Sequence, residues 1–269
     1  MNDPILAEAR DTTRRVARTF ALACRLLPRG VRDDVYRLYL VYRTLDDLVD
    51  ERRPEAAERV GAVEAWCDDP ASAPVTPETS LLSQLAERHP LPPHALREFC
   101  AGMRFDLARG ENLTEDDLDL YCFRVAGTVG LTMAAMLGAG GEDAERRASA
   151  LGMAMQRTNV LRDIDEDLAT GRVFLARESI ARFGGSLAPG ERADLVRDQI
   201  ARADALYDEG MPGVALLPCG RRAVAAAGVM YREILRQIER EGYGSRAGRA
   251  VVPAQRKLVV AARRVALSR

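Results

Sequence analysis

The sequence is short of the residues on which several common kinds of site are built. Its two histidines, His89 and His94, flank a proline-rich turn (HPLPPH) and are expected in a loop. They leave no basis for a histidine-centred zinc site or a serine–histidine–aspartate triad. The five cysteines, Cys24, Cys67, Cys100, Cys122 and Cys219, show neither metal nor disulfide spacing. An odd number in a reducing compartment reads as buried small hydrophobes. No stretch approaches 18 uncharged apolar residues, and the opening MNDPILAEARDTTRR has no apolar signal-peptide region, so the chain is expected to be cytoplasmic. Charge of one sign is also lacking: 39 basic and 40 acidic residues leave a net charge of -1. Arginine far outnumbers lysine, but the arginines are scattered, which argues against a nucleic-acid partner. Strand signals are nearly absent, and no repeat emerges. The glycine run from Gly138 to Gly141 falls between helices, so it is not a dinucleotide fingerprint.

What remains is helix after helix. With 269 residues, 47% of them hydrophobic, the chain is expected to form a single all-α domain over residues 1–269 with a substantial core. Apolar residues at three- and four-residue steps predict helices over 5–26 and 31–51, separated by the breaker LPRG. DDPASAPVTPET (68–79) reads as a loop, with Thr79 or Ser80 opening the next helix, SLLSQLAERH. Further helices are expected at about 94–109, at 114–138 with Thr114 as N-cap, and at about 143–168. After the FGGSLAPG turn the pattern gives 189–210, 213–241 and 253–267.

Two aspartate clusters stand out against this background: Asp46, Asp47 and Asp50 in RTLDDLVDE, and Asp163, Asp165 and Asp167 in NVLRDIDEDLATGR. In each, an Asp-x-x-x-Asp spacing stacks two carboxylates about one helical turn apart, where like charges cost roughly 0.2–0.5 kcal/mol per pair. Both lie inside apolar helical stretches, where a purely solvated acidic face is not expected. A cation would offset the repulsion. Hard oxygen ligands suit Mg2+, which is usually held by one or two carboxylates together with substrate phosphates, so facing pairs imply a cluster of ions that captures a diphosphate.

Four segments carry a family resemblance: ARTFALACRLLP (17–28), LYLVYRTLDDLVD (38–50), YCFRVAGTVGLTMAAMLG (121–138) and MQRTNVLRDIDEDLATGRVFL (155–175). They resemble the squalene and phytoene synthases. The closing MYREILRQIEREGY and RAVVPAQRKL are similar to the phytoene branch. The resemblance implies a helical bundle of the isoprenoid-synthase type around a deep central cavity, with the aspartate motifs facing each other at its mouth. It implies head-to-head condensation of two allylic prenyl diphosphates, with two geranylgeranyl diphosphates giving phytoene as the expected route. The alternatives are a farnesyl route to presqualene diphosphate, squalene or dehydrosqualene, a terpene cyclase acting on one prenyl diphosphate, and a non-catalytic binder. Two or three Mg2+ ions are implied, whereas NADPH is not expected.

By the same resemblance, Asp46, Asp50, Asn159, Asp163 and Asp167 are the metal ligands, with Gln156 beside them on the helix. Arg18, Thr19, Phe20, Arg43, Arg162 and Tyr231 are candidate substrate-binding residues, and planar guanidinium forks suit phosphate oxygens. Tyr39 and Tyr121 match tyrosines near the reacting carbons. Phe20, Tyr42 and Phe123 join them as aromatic faces able to stabilise a carbocation, which needs an apolar, dry cavity. Val129, Met133 and Met136 share a helical face and are expected to line or back the tunnel for the isoprenoid tail. Gly127 and Gly130 suggest close approach of a ligand or another helix. Two departures from the family pattern are visible: Ala17 replaces a hydroxyl residue, leaving Thr19 alone, and Phe174-Leu175-Ala176 replaces Tyr-x-Pro. An apolar substrate is compatible with transient peripheral membrane contact, although no basic amphipathic anchor stands out.

Overall fold

The computed structural model of the protein describes residues 3–108 and 113–266, and among these there is no strand. The first half of the bundle comprises α1 (Pro4–Val16), α2 (Arg18–Cys24), α3 (Arg29–Asp50), α4 (Ala56–Asp68), α5 (Pro77–Ala86) and α6 (Pro93–Leu107). Then come α7 (Glu115–Cys122), a π-helical turn (Phe123–Gly127), α8 (Thr128–Met136), α9 (Glu142–Arg162) and α10 (Ile164–Ala169). The chain closes with α11 (Arg177–Arg182), α12 (Ala193–Gly210), a 3-10 turn (Met211–Leu216), α13 (Arg221–Arg240) and α14 (Ala254–Ala266). No helix among the described residues is long and apolar enough to cross a membrane.

Two large core clusters flank the cavity. One is built on α3 to α6 around Leu38, Leu45, Leu82, Leu96 and Met103. The other joins α7, α9, α12 and α13 around Leu118, Ile200, Tyr207 and Leu235. Burial of such side chains contributes roughly 1.5–3 kcal/mol each and is the main source of stability. Outside the cavity, buried Arg157 bonds to Asp119 (2.7 Å), Gln199 (2.9 Å) and Glu115 (3.0 Å), tying α9 to α7 and α12.

Several helix boundaries differ from the periodicity. The segment 5–26 breaks at Ala17 (φ -123°, ψ 56°), which turns α2 so that Ala23 packs on Ala226, Ala227 and Met230 of α13. The loop after α4 ends earlier than expected: Thr76, not Thr79 or Ser80, is the N-cap, and Thr76 and Thr79 exchange reciprocal capping bonds with Pro77 at the first helical position. His94 lies in the first turn of α6 rather than in a loop, while His89 sits in the preceding turn with Nε2 2.9 Å from Asp34. Helix 114–138 begins at the expected Thr114 cap but is interrupted by the π turn. Helix 143–168 is divided at Asp163, α12 starts only after the Pro189-Gly190 turn, and residues 211–216 form a 3-10 turn before α13. Helices α4 and α11 were not legible in the periodicity at all. The expected ends at residues 109 and 267 lie outside the described residues.

The small residues of VAGTVG belong to tight packing of α8 on α9. A Cβ on Gly130 would stand 2.2 Å from the carbonyl oxygen of Ala148, and one on Gly152 would stand 2.2 Å from that of Ala126. Gly130 and Gly152 also line the cavity, so close helix approach and access for a ligand are served together. Four of the cysteines are buried as expected, with Cys24 and Cys122 thiols pushed up to about 12 by burial, but Cys219 is only half-buried.

Candidate active site

A cavity of about 670 Å³ runs through the bundle. Its deep walls are apolar: Phe20, Leu38, Phe99, Val129, Met133, Leu137, Met155 and Leu217 are among them. Carboxylates and guanidiniums gather at the other end. Asp46, Asp50, Asp163 and Asp167 all line the same cavity, together with Tyr39, Arg43, Tyr121, Gln156, Asn159, Arg162 and Tyr231. The side chains of Asp46 and Asp50 are still 41% and 46% exposed, which marks this end as the mouth.

The first motif rides on the last turns of α3, an uninterrupted helix, so Asp46 and Asp50 keep the expected one-turn stacking. Arg43, one turn earlier, pairs with Asp46 (2.9 Å) and with Asp47. The second motif sits where α9 ends. Asp163 leaves helical geometry (φ -105°, ψ 11°) and takes both prongs of Arg162 at 2.7 and 2.6 Å. Asp167 follows inside α10, whereas Asp165 is turned away to Arg192. Arg172, whose backbone N–H donates to the Asp167 carbonyl at 2.9 Å, donates through its side chain to Asp50 at 2.9 Å and to buried Asp106.

Loss of hydration, and after it the crowding of acids, raises several carboxyl pKa values. Although the Asp46 side chain keeps part of its surface open at the mouth, desolvation by the side chains packed around it, and then Asp50, push it up to about 7. Burial and Asp163 push Asp167 up to about 6, and burial pushes Asp106 up to about 6 against the pull of Arg172. Asp50, across the mouth, makes only the last and smallest contribution to the rise at Asp167. Among the described residues no three His, Cys, Asp or Glu side chains converge closely enough to hold an ion by themselves. The donor set fits magnesium in another way. Asn159 donates through Nδ2 to Gln156 (3.1 Å), but its buried Oδ1 has no hydrogen-bond partner. An orphaned buried acceptor costs about 1–3 kcal/mol, and a cation beside the carboxylates would satisfy it.

Tyr121 is buried, and its hydroxyl donates to Asp106 at 3.1 Å. Its ring stacks on Phe174 (centroids 5.1 Å apart), and the Arg172 guanidinium stands 4.6 Å from the Phe174 ring. Burial, then Asp106, hold the Tyr121 phenol well above its usual pKa, so it stays protonated. Tyr39 packs on Phe20 (5.3 Å) and is likewise raised by burial.

Other expectations are placed differently. Arg18 is exposed and, with Thr19, lies outside the cavity lining; the Thr19 hydroxyl accepts from Lys257 Nζ at 2.9 Å. Tyr42 lines the wall, but its hydroxyl is spent on Thr132 (2.8 Å). Phe123, the first residue of the π turn, is outside the lining, because it follows Tyr121 by two residues and so stands on nearly the opposite side of the helix. Val129 and Met133 line the tunnel, while Met136 is buried behind them in the core.

Three residues lining the mouth were not foreseen, Asp106, Arg172 and Arg249, and neither was Lys257, which bonds to Thr19 beside the lining. Arg249 forms an ion pair with Asp163 at 3.0 Å. The Lys257 ammonium is lowered by burial and then by the nearby charges of Arg162, Arg249 and Arg18. One signal for Lys257 was available, since it is the only lysine in the chain.

An all-α bundle enclosing an apolar cavity, with two aspartate motifs and a set of arginines at its mouth, is the architecture of an enzyme that ionises prenyl diphosphates. Residues 13–256 match the squalene/phytoene synthase family, and the chain belongs to it. It is 37% identical over 246 residues to the phytoene synthase of Thermus thermophilus, covering 86% of this chain and 82% of that one. It is 34% identical over 275 residues to the phytoene synthase of Arthrospira platensis, covering 93% and 89%. A dehydrosqualene synthase solved with a ligand superposes with a TM-score of 0.87 at 27% identity, over 98% of this chain and 96% of that one. The protein is a prenyltransferase of this family.

Proposed function

We propose that the protein joins two geranylgeranyl diphosphates head to head, through a cyclopropylcarbinyl diphosphate, and releases phytoene by proton loss. The observation that carries this reading is the convergence of both aspartate motifs with Arg43, Arg162, Arg172 and Arg249 on the mouth of one apolar cavity. The phytoene synthase relatives, which match over most of the chain, favour the C20 substrate.

The chain's own residues divide the work. Arg43, Arg162, Arg249 and Lys257 bind diphosphate oxygens, exchanging carboxylate partners for phosphate ones, while Arg172 keeps Asp50 and Asp106 in place. Asp46, Asp50, Asn159, Asp163 and Asp167 would hold magnesium, which when bound neutralises the charge developing on the leaving diphosphate. Gln156 orients Asn159 through their hydrogen bond. The apolar walls keep water from the carbocation, and the faces of Tyr39 and Phe20 lie where they stabilise it. Tyr121, kept protonated over Asp106, is a fixed phenol beside the reacting carbons. The proton leaves to the released diphosphate or through one of the two tyrosines. Thr19 acts without the second hydroxyl that Ala17 lacks, through its bond to Lys257, and Tyr231 completes the wall on α13.

Incubation with C15 and C20 diphosphates, with and without NADPH, followed by gas chromatography of the hydrocarbons, tests the proposal. Phytoene from the C20 substrate without NADPH is expected. A C30 hydrocarbon as the sole product would move the chain to the squalene or dehydrosqualene route, and a cyclic product from one diphosphate would make it a terpene cyclase.

A further inference from the structure

Asp165 is the aspartate of the second motif that does no work in the cavity. Its carboxylate takes both Nη atoms of Arg192 at 2.7 Å each, and the Gly248 backbone N–H donates to its Oδ2 at 2.7 Å. The Arg192 side chain is only 3% exposed. It donates further to the carbonyl oxygens of Leu187 (3.0 Å) and Gly244 (3.3 Å), and the Gly244 carbonyl also accepts from the Gly190 N–H at 3.2 Å. The loop between α13 and α14 is shaped to lie on this guanidinium. Gly244 has φ +78°, and a Cβ there would stand 2.6 Å from Arg192 Nε. Gly242, Tyr243 and Gly248 also have positive φ, a conformation with little intrinsic preference that needs outside support.

The residue after the anchored Gly248 is Arg249, which reaches Asp163 (3.0 Å) and Glu166 (3.4 Å). The helix that follows brings Lys257 to Thr19. A bidentate, desolvated ion pair adds little net stability but fixes geometry. We propose that the Asp165–Arg192 pair is a positioning device for the diphosphate site: it pins the 241–253 loop so that Arg249 stands at the cavity mouth and α14 sets Lys257 against Thr19. The proposal rests on the reading of that mouth as a diphosphate site.

The test uses Asp165→Asn, which keeps size and one acceptor, and Arg192→Gln as a second variant. Steady-state kinetics with geranylgeranyl diphosphate should show KM raised about tenfold with kcat within about threefold, the range by which outer partners of a site act. Because the effect passes through Arg249, adding Asp165→Asn to Arg249→Gln should raise KM less than about twofold further. Limited trypsin digestion supplies a readout independent of turnover: cleavage after Arg246 should be about tenfold faster in either variant, provided the folded fraction by circular dichroism is unchanged. Unchanged cleavage in both variants overturns the proposal whatever the enzyme makes. Fully additive KM effects with Arg249→Gln overturn it as well. A wild type that turns over no prenyl diphosphate but shows the cleavage difference would sink the functional reading and leave the loop anchor standing.

Discussion

The two aspartate motifs present the same spacing in sequence and two different constructions in space. The first is carried on the last turns of a 22-residue helix, and its partner Arg43 comes from the same helix one turn earlier. The second straddles a helix break at Asp163, and its partners come from several parts of the chain: Arg162 beside it, Arg192 from the start of α12, and Arg249 from the loop before α14. A regular helix sets carboxylate spacing by itself, because every Cβ direction is fixed by the backbone. A broken helix does not, so its carboxylates must be held by tertiary ion pairs. The first motif is thus a rail and the second a junction, and Arg172 ties one to the other through Asp50.

The largest effect should come from the carboxylates that the two constructions have in common. Asp46→Asn and Asp163→Asn are each expected to slow pyrophosphate release from geranylgeranyl diphosphate by roughly 10²–10³-fold, the magnitude seen when one preorganised electrostatic group is removed. A chelator should do the same to the wild type. If one motif alone were essential, the facing-pair reading of the mouth would fail; undiminished release from either variant at saturating substrate and magnesium is the outcome to look for.

The link between rail and junction should matter next. Removing Arg172 takes the charged partner from Asp106, whose side chain is 7% exposed, and leaves it only the Tyr121 hydroxyl; a hydrogen bond to a charged group contributes roughly 1.5–3 kcal/mol. Arg172→Met is therefore expected to lower stability by about that amount and to lower activity. The double variant Arg172→Met/Asp106→Asn should recover most of the stability without the activity, since the mouth still lacks the guanidinium that joins the motifs. Urea denaturation of both proteins, with pyrophosphate release measured in parallel, separates the two contributions. Recovery of both would reduce Arg172 to a neutraliser of Asp106.

The rail was legible in the sequence and the junction was not, for a physical reason. Periodicity reports which residues share a helical face, so the all-α class, the Thr114 cap and the stacking of Asp46 on Asp50 could be read directly. The family motifs carried Asn159, Arg162 and Tyr121 to the cavity. Nothing local encodes a helix that stops at Asp163, a π turn at Phe123, or the arrival of Arg249 and Lys257 from the far end of the chain. Asp106 belongs to no sequence motif, because its significance lies in what α7 and Arg172 bring to it. Alanine-rich α4, whose apolar residues surround most of its circumference, gave no clean stripe, although Trp66 and Val63 are buried in the first core cluster. The tunnel face was read as lining or backing the cavity, and it does both: Val129 and Met133 line it, and Met136 backs it from the core.

The smallest expected effect concerns how each construction responds to pH when magnesium is absent. Asp46, raised to about 7, belongs to the rail; Asp167, raised to about 6, belongs to the junction, and Asp106, also about 6, lies between them. A carboxyl whose folded pKa lies above its unfolded value near 3.8 binds more protons in the folded state, so stability falls as pH rises through the window between the two values. Asp165 and Glu115 shift the other way, lowered by Arg192 and by the Ser179 and Arg157 hydrogen bonds respectively, so their contribution is present above the usual carboxylate range and is lost only in more acidic solution. Between pH 5 and pH 7.5 the cavity acids therefore set the sign among the carboxylates, and the Tm of the chelated protein should decline across that interval. Asp46→Asn should flatten the upper part of the decline, from about pH 6 to 7.5, and Asp167→Asn the lower part. Millimolar magnesium, which binds the ionised carboxylates, should raise Tm most at the alkaline end. Thermal melts at closely spaced pH values with chelator or magnesium would show this, and a Tm that climbs from pH 5 to 7.5 in chelator would mean that the rail and junction acids are not crowded as the fold places them.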